Sequence, residues 1–341
     1  MLNNLSLTDI LKFGGKGIYK LIKNDILVVS FEVTLSCVCN CHHCDLGGPK
    51  LEEKQMKPEG YAKWVKTLKP LFVQISGGEP LLRKDIIDIV KSVKQFGKLP
   101  YEILVSNGAL LDDEKYLKLR KAGIDQFSIS LDFPDKRHDD FRRYPGLYKH
   151  LEETVPKLTR YGFNDIILNT AITKANFREV IPLAKKAMEW GVLISYSAYT
   201  PLRTGNREYS FDSKEDVNAL RKAMKELTQF KKQTNCIVNP KGVFTDIVKY
   251  YKQRTYMPNC KAGIRFVVVM PDGSLVPCSM RRQKFSNLKD LREKFVKKNR
   301  CGGCYVSIRG MSERPLSKQI QEFPKYFIKI GNLLPQSKIK V

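Results

Sequence analysis

From Ile26 onward, apolar runs alternate with amphipathic ones. Strand-like runs are ILVVSFEV (26–33), LFVQI (71–75), YEILV (101–105), QFSISL (126–131), DIILNTAI (165–172) and VLISYSAY (192–199). Between them, helix-period patterns cover residues near 58–69, 83–96, 112–122, 147–161 and 177–190. Strands that alternate with helices predict parallel βα units, because a parallel crossover needs a helix to return the chain. Six such units predict an α/β fold, a partial (β/α)6 TIM-like barrel. Chemistry in βα barrels gathers at the C-terminal ends of the strands.

The pattern changes at both ends. Residues 1–26 set Leu5, Leu7, Ile10, Leu11, Phe13, Ile18, Leu21 and Ile22 among Lys12, Lys16, Lys20 and Lys23, with Gly14-Gly15 interrupting the stripe. Such a basic amphipathic segment either lies in a membrane interface or caps the end of a barrel. After about residue 231 the βα alternation stops and cysteines reappear. Residues 314–341 form a basic tail with Phe323, Tyr326, Phe327, Ile328, Ile330, Leu333 and Leu334 beside Lys325, Lys329, Lys338 and Lys340. The expected divisions are 1–26, a core over 27–231, a cysteine-rich domain over 232–313 and the tail over 314–341.

Composition narrows the class. The chain has 341 residues, 42% of them hydrophobic, enough for one large core and a smaller one. No run of 18 apolar residues predicts a transmembrane helix. Nine cysteines, an odd count without a signal peptide, point to metal in a reducing, cytoplasmic setting rather than to a disulfide framework. The net charge of +25 favours anionic partners, or reflects a solvated lysine-rich surface.

The densest chemistry is Cys37-X3-Cys41-X2-Cys44, directly after the first strand-like run. Three thiolates hold three irons of a [4Fe-4S] cluster and leave the fourth iron open. Zinc is the competing reading, but zinc sets pair CxxC with a distant CxxC or HxxxH. Cys39 falls between the ligands and reads as a bystander, with a register through Cys39 as the alternative. Gly77-Gly78-Glu79-Pro80 follows the second strand, 33 residues after Cys44. Together these motifs resemble the radical S-adenosylmethionine (radical SAM) superfamily.

The resemblance implies a partial barrel, a site-differentiated [4Fe-4S] cluster on Cys37, Cys41 and Cys44, and reductive cleavage of S-adenosylmethionine to a 5′-deoxyadenosyl radical. It implies a low-potential donor such as flavodoxin or ferredoxin. It assigns Gly77, Gly78 and Glu79 to the methionyl ammonium, with glycines that let the backbone approach the ligand. Asn107-Gly108, ending the third strand, falls near the adenosine. Ser130 and Asp132, ending the fourth, reach the ribose and carboxylate. The segment KRHDDFRRYPGLY resembles the family's HD-x-x-R, onto which His138, Asp139 and Arg142 map, with Arg142 for the methionyl carboxylate. Asn169, read as a strand end, is a further candidate. Where the common pattern is SLDG, this chain has SLDF at 130–133.

Cys260-X12-Gly273-X4-Cys278, with Cys301-Gly302-Gly303-Cys304, resembles twitch and SPASM extensions. That implies a small C-terminal auxiliary-cluster domain with a second [4Fe-4S] cluster on all four cysteines. A structural zinc on the same thiolates is the other reading. Cys236 lies outside both sets and reads as a buried small hydrophobe. Substrate remains open among a lipid or isoprenoid-like molecule at a membrane surface, a peptide or protein, and a cofactor precursor; a non-catalytic metal scaffold is the rival class. No nucleic-acid-binding module is visible.

Overall fold

A computed structural model describes residues 7–253, 260–314 and 317. The tail residues Phe323 to Lys340, Leu5, and the side chains of residues 7–11 lie outside the described set.

In chain order the elements are α1 (Leu7–Ile22), β1 (Val28–Thr34), α2 (Pro58–Leu68), β2 (Phe72–Gly77), α3 (Ile86–Lys94), β3 (Tyr101–Ser106), α4 (Asp113–Ala122), β4 (Gln126–Ser130), α5 (Arg137–Arg142), α6 (Leu147–Thr159), β5 (Ile166–Ile172), α7 (Val180–Glu189) and β6 (Leu193–Ala198). There follow α8 (Lys214–Gln233), α9 (Val243–Gln253), β7 (Phe266–Val269), β8 (Leu275–Val276), α10 (Leu288–Lys294) and α11 (Ser307–Ser312). All six strands and five helices read from the alternation are present. The short helix α5 and the pair β7–β8 lack such a signal; α8 and α9 carry it, with Val217, Leu220, Met224 and Leu227 buried along one face of α8, but lie beyond the stretch over which the alternation is read.

Contacts divide the chain into two compact units, each made of two separate stretches. One holds residues up to Ile129 with Lys261–Asn299, the other Ser130–Cys260 with residues from Arg300 on. This differs from a linear cut near 231 because β7 returns to pair with β1.

In the first unit the strand order is β4-β3-β2-β1-β7-β8. β1 pairs in parallel with β2 on one side and β7 on the other, β2 with β3, and β3 with β4. Only β8 is antiparallel, joined to β7 by a tight turn. Gly273 in that turn has φ +85, which glycine adopts without penalty. Along β1 the buried residues alternate in chemistry. Val29, Phe31 and Val33 are apolar, and Phe31 meets Tyr61 of α2 edge-on at 5.1 Å. Ser30, Glu32 and Thr34 carry the polar groups of the other face, where Ser30 Oγ lies 3.1 Å from Ser76 Oγ. Arg83, which no motif marks, ties the unit together. It donates to Val33 O, Tyr61 Oη and Met56 O, and pairs with Asp85 through two bonds of 2.8 Å.

α1 runs straight through Gly14-Gly15, although each glycine costs about 1 kcal/mol in a helix interior. Packing offsets this. Phe13 meets Phe72 edge-on at 5.3 Å, Gly17 faces Leu71, and the buried Lys20 donates to Asp25 and to Leu68 O. The helix thus covers the start of β2, as the capping reading expects, but through Phe13 and Gly17 rather than Ile18. Ile18, Tyr19 and Ile22 face outward. Among the described residues no helix is long and apolar enough to cross a membrane.

Glu102 on β3 is fully buried, and neither carboxylate oxygen has a hydrogen-bond partner among the described residues. Burial pushes its carboxyl well above the usual range, against the pull of Lys94. A raised acid pKa means that the folded state holds the proton longer. Stability present below the unfolded pKa, about 4.3 for Glu, is therefore lost as pH rises through the folded value. Each unit of elevation is worth about 1.4 kcal/mol. Glu102→Gln removes that loss. Unfolding measured from pH 4 to 8 is expected to show a stability gain for the variant that grows with pH.

In the second unit β5 and β6 pair in parallel over six residues. α8 begins with a capping box, Ser213 and Asp216 exchanging side-chain-to-backbone bonds. Cys236 is buried against the Ala184 carbonyl, as a small hydrophobe.

Candidate functional site: a cysteine loop clamped to the strand ends

The loop after β1 closes on itself. Cys37 N donates to Gly48 O at 3.1 Å, and Cys44 N to Cys41 O at 3.2 Å. Gly47 is pressed on Asn40, where a Cβ would meet Oδ1 at 2.3 Å. The loop's entrance is held by Glu53, which takes Thr34 Oγ1 at 2.6 Å and the Leu35 amide. Glu53 lies outside every motif, and nothing in its sequence context marks it. Cys39 is buried between Cys37 and Cys41. Hydrogen bonding to those two sulfurs, and then burial, pushes its thiol up, while the bond from Cys39 lowers the Cys37 thiol.

GGEP lies against this loop. Gly78 N donates to Thr34 O and Glu79 N to Ser36 O, both at 2.8 Å. A Cβ on Gly77 would meet Thr34 O at 2.0 Å, and one on Gly78 would meet Ser36 O at 2.2 Å. The glycines therefore permit close approach to the backbone leading into Cys37, where sequence reasoning expected close approach to a ligand.

Glu79 is fully buried. Its Oε1 accepts from Ser106 Oγ at 2.8 Å and Leu81 N at 3.1 Å, and its Oε2 from Asn107 N at 2.8 Å. These three bonds occupy most of what a carboxylate accepts. The side chain thus fastens the end of β2 to the end of β3. Asn107 in turn reaches the cysteine loop, with Nδ2 3.6 Å from Cys37 Sγ.

In the second unit, Asp132 just beyond β4 is fully buried. Its Oδ2 takes Arg142 Nε at 2.8 Å and Nη2 at 2.6 Å, and its Oδ1 takes Ala171 N at 3.2 Å. Arg142, expected to serve a methionyl carboxylate, spends two of its donors on Asp132. His138 Nδ1 accepts from Asp132 N. Asp139 caps the start of α6 through Gly146 N and Tyr148 N. The HD-x-x-R segment therefore folds back on the strand end. Asn176, absent from the sequence reading, bridges Asp132 O and Ala171 O. Phe133, which replaces the usual glycine, packs with Phe141, Tyr199 and Tyr209. Ser130 closes β4, half-buried. Asn169 lies mid-strand in β5, paired with Ser195, not at an end.

Three of the later cysteines belong to the second unit. Cys260 N donates to Cys301 O at 3.1 Å. Tyr250 Oη and Thr200 Oγ1 hold the Gly303 carbonyl, tying the CGGC loop to the segment after β6. Arg309 is fully buried beside them, donating to Cys304 O and Glu313 Oε2, both at 2.9 Å. Negative charge on Cys260, Glu313 and Cys304 raises its pKa despite burial. Cys278 follows β8 in the first unit and pairs with Arg281.

Among the described residues, no three Cys, His, Asp or Glu side chains converge as around a single metal ion. One tetrahedral zinc needs thiolates about 3.8 Å apart, from Zn–S bonds of about 2.3 Å.

The radical SAM superfamily model matches residues 31–187, a span that holds the cysteine loop, GGEP and the Asp132–Arg142 pair. Residues 31–187 are a radical SAM domain. Among curated relatives, the AdoMet-dependent heme synthase of Methanosarcina barkeri is 26% identical, covering 81% of this chain and 88% of its own. A probable GTP 3′,8-cyclase of Saccharolobus islandicus is 26% identical, covering 76% and 85%. Among solved structures, native anSMEcpe with bound AdoMet superposes with TM-score 0.62 at 16% identity, covering 90% of this chain and all of its own. Streptococcus suis SuiB bound to S-adenosylmethionine gives TM-score 0.60 at 17% identity, covering 83% and 67%. The radical SAM fold, a partial barrel, is thus shared across most of the chain. This radical SAM chain is an enzyme that uses a [4Fe-4S] cluster and S-adenosylmethionine.

Proposed function

We propose that this chain is a two-cluster radical SAM enzyme acting on a small anionic cofactor precursor. The observation that carries the first site is the Cys37–Cys44 loop, closed by the Cys37–Gly48 pairing and clamped by Gly77, Gly78 and Glu79 to the strand ends. Cys37, Cys41 and Cys44 would hold the cluster. When bound, it supplies the electron that splits the sulfonium of S-adenosylmethionine, and flavodoxin or ferredoxin is the proposed donor to it. Gly77 and Gly78 set the depth of the loop. Glu79 orients Asn107, and Arg142 fixes Asp132 at the end of β4. Ser130, Asn107 and Asp132 remain the proposed contacts for the nucleoside.

Cys260, Cys278, Cys301 and Cys304 are proposed to ligate a second cluster. Arg309 offsets part of the negative charge that the thiolates bring into a buried place. Two clusters require about eight irons per chain, and a variant lacking Cys37, Cys41 and Cys44 about four. Metal analysis of anaerobically purified protein checks this. Four irons with one zinc would assign the second set to zinc.

For the substrate, support comes from the curated relatives that span most of both chains, one named a heme synthase and others GTP cyclases. Heme carries carboxylates and GTP carries phosphates, and a chain of net charge +25 attracts both. None of these relatives is named for a lipid substrate. The test is substrate-stimulated formation of 5′-deoxyadenosine under reduction. Carboxylated tetrapyrroles or nucleoside triphosphates are expected to raise it. Stimulation by peptides or isoprenoids alone would overturn the substrate reading and leave the cluster reading intact.

A further inference from the structure

The Asn107 side chain is oriented by what surrounds it. Oδ1 accepts from Ala109 N at 2.9 Å, so the carbonyl end of the amide is engaged by a backbone donor. The NH2 end is thereby the one that faces Cys37 Sγ at 3.6 Å. Backbone contacts hold the residue as firmly. Asn107 N donates to Glu79 Oε2, and Gly108 N donates to Ser106 Oγ, which itself donates to Glu79 Oε1. Asn107 is 5% exposed and Glu79 not at all, so water does not compete for these bonds.

A hydrogen bond to a thiolate on an iron–sulfur cluster stabilises the more negative, reduced state and raises the reduction potential. We propose that Asn107 is a positioning residue that tunes the potential of the cluster on Cys37, Cys41 and Cys44 through an N–H···S bond, aimed by the buried Glu79. This rests on the cluster reading of that triad. It gives Asn107 a role toward the metal centre, distinct from contact with the nucleoside.

Asn107→Asp is the informative variant. It keeps the shape and the acceptor for Ala109 N, but replaces the NH2 donor by an oxygen. Redox titration followed by electron paramagnetic resonance on the full, anaerobically reconstituted chain reads the effect. Subtracting the signal of the variant lacking Cys37, Cys41 and Cys44 isolates the first cluster. N107D and N107A are both expected to shift the potential to more negative values, N107D further because it adds charge. Wild-type potentials in both would overturn the proposal, and weaker S-adenosylmethionine binding at an unshifted potential would leave Asn107 as a nucleoside contact alone. A second readout needs no variant to hold its cluster. Wild-type protein labelled with 15N at asparagine side-chain amides is expected to show a hyperfine coupling to the reduced first cluster, and its absence would equally overturn the proposal. Iron content of the wild type against the triple-cysteine variant tests the cluster reading separately.

Discussion

Replacing Cys37, Cys41 and Cys44 together by Ala is expected to abolish formation of 5′-deoxyadenosine from S-adenosylmethionine, to below a thousandth of wild type. The three thiols sit in one closed loop, and no other described cysteine outside the second set stands near it except Cys39, whose thiol is buried and pushed up. Without the triad no iron is held where the sulfonium is split. The fold should survive. The loop is held by Glu53 on Thr34 and Leu35 and by the Cys37–Gly48 backbone pairing, none of which uses a sulfur. Chromatographic assay of 5′-deoxyadenosine under reducing, anaerobic conditions decides it, with circular dichroism as the check on folding. Undiminished product would remove the assignment of this loop.

Gly78→Ala is expected to be nearly as damaging, although it touches no proposed ligand. Its Cβ would stand 2.2 Å from Ser36 O, 2.6 Å from Ser36 C and 2.7 Å from Leu35 O. All three are backbone atoms of a segment pinned between Glu53 and the end of β2, so no side chain can turn aside to make room. Overpacking against fixed backbone costs about 3 kcal/mol or more. The strain is relieved most cheaply by pushing residues 35–37 away, which takes Cys37 with them. First-site iron and thermal stability should fall together. Gly48→Ala is the control. Its φ of +77 imposes a penalty of about 1–2 kcal/mol, but nothing lies within 4 Å of the added Cβ. It should lose stability while keeping its iron. Equal iron retention in both variants would refute the clamp.

The barrel was legible because its signal is periodic. Six apolar runs and five amphipathic ones matched the strands and helices, since each strand must bury apolar side chains and each crossover helix must cover one face. The triad and GGEP were legible because thiol chemistry and paired glycines are rare in combination. What those residues do was less legible. Glu79 and Arg142 read as ligand contacts, and the structure adds bonds within the protein: Glu79 with Ser106, Leu81 and Asn107, and Arg142 with Asp132. Charged groups taken out of water need partners, and partners distant in sequence leave no local trace.

By itself the sequence determined the class of fold, the βα order, the cysteine sets and the family chemistry, all of which depend on local pattern and residue type. The tertiary structure alone decided that β7 returns to pair with β1, that α1 covers the start of β2 through Phe13, and that Gly77 and Gly78 are pressed on the cysteine loop. It alone brought Glu53, Arg83 and Asn176 to the strand ends and Asn107 to Cys37. Those are contacts between segments far apart in the chain. They are selected by shape and by the need to pair buried polar groups, which no window of neighbouring residues records.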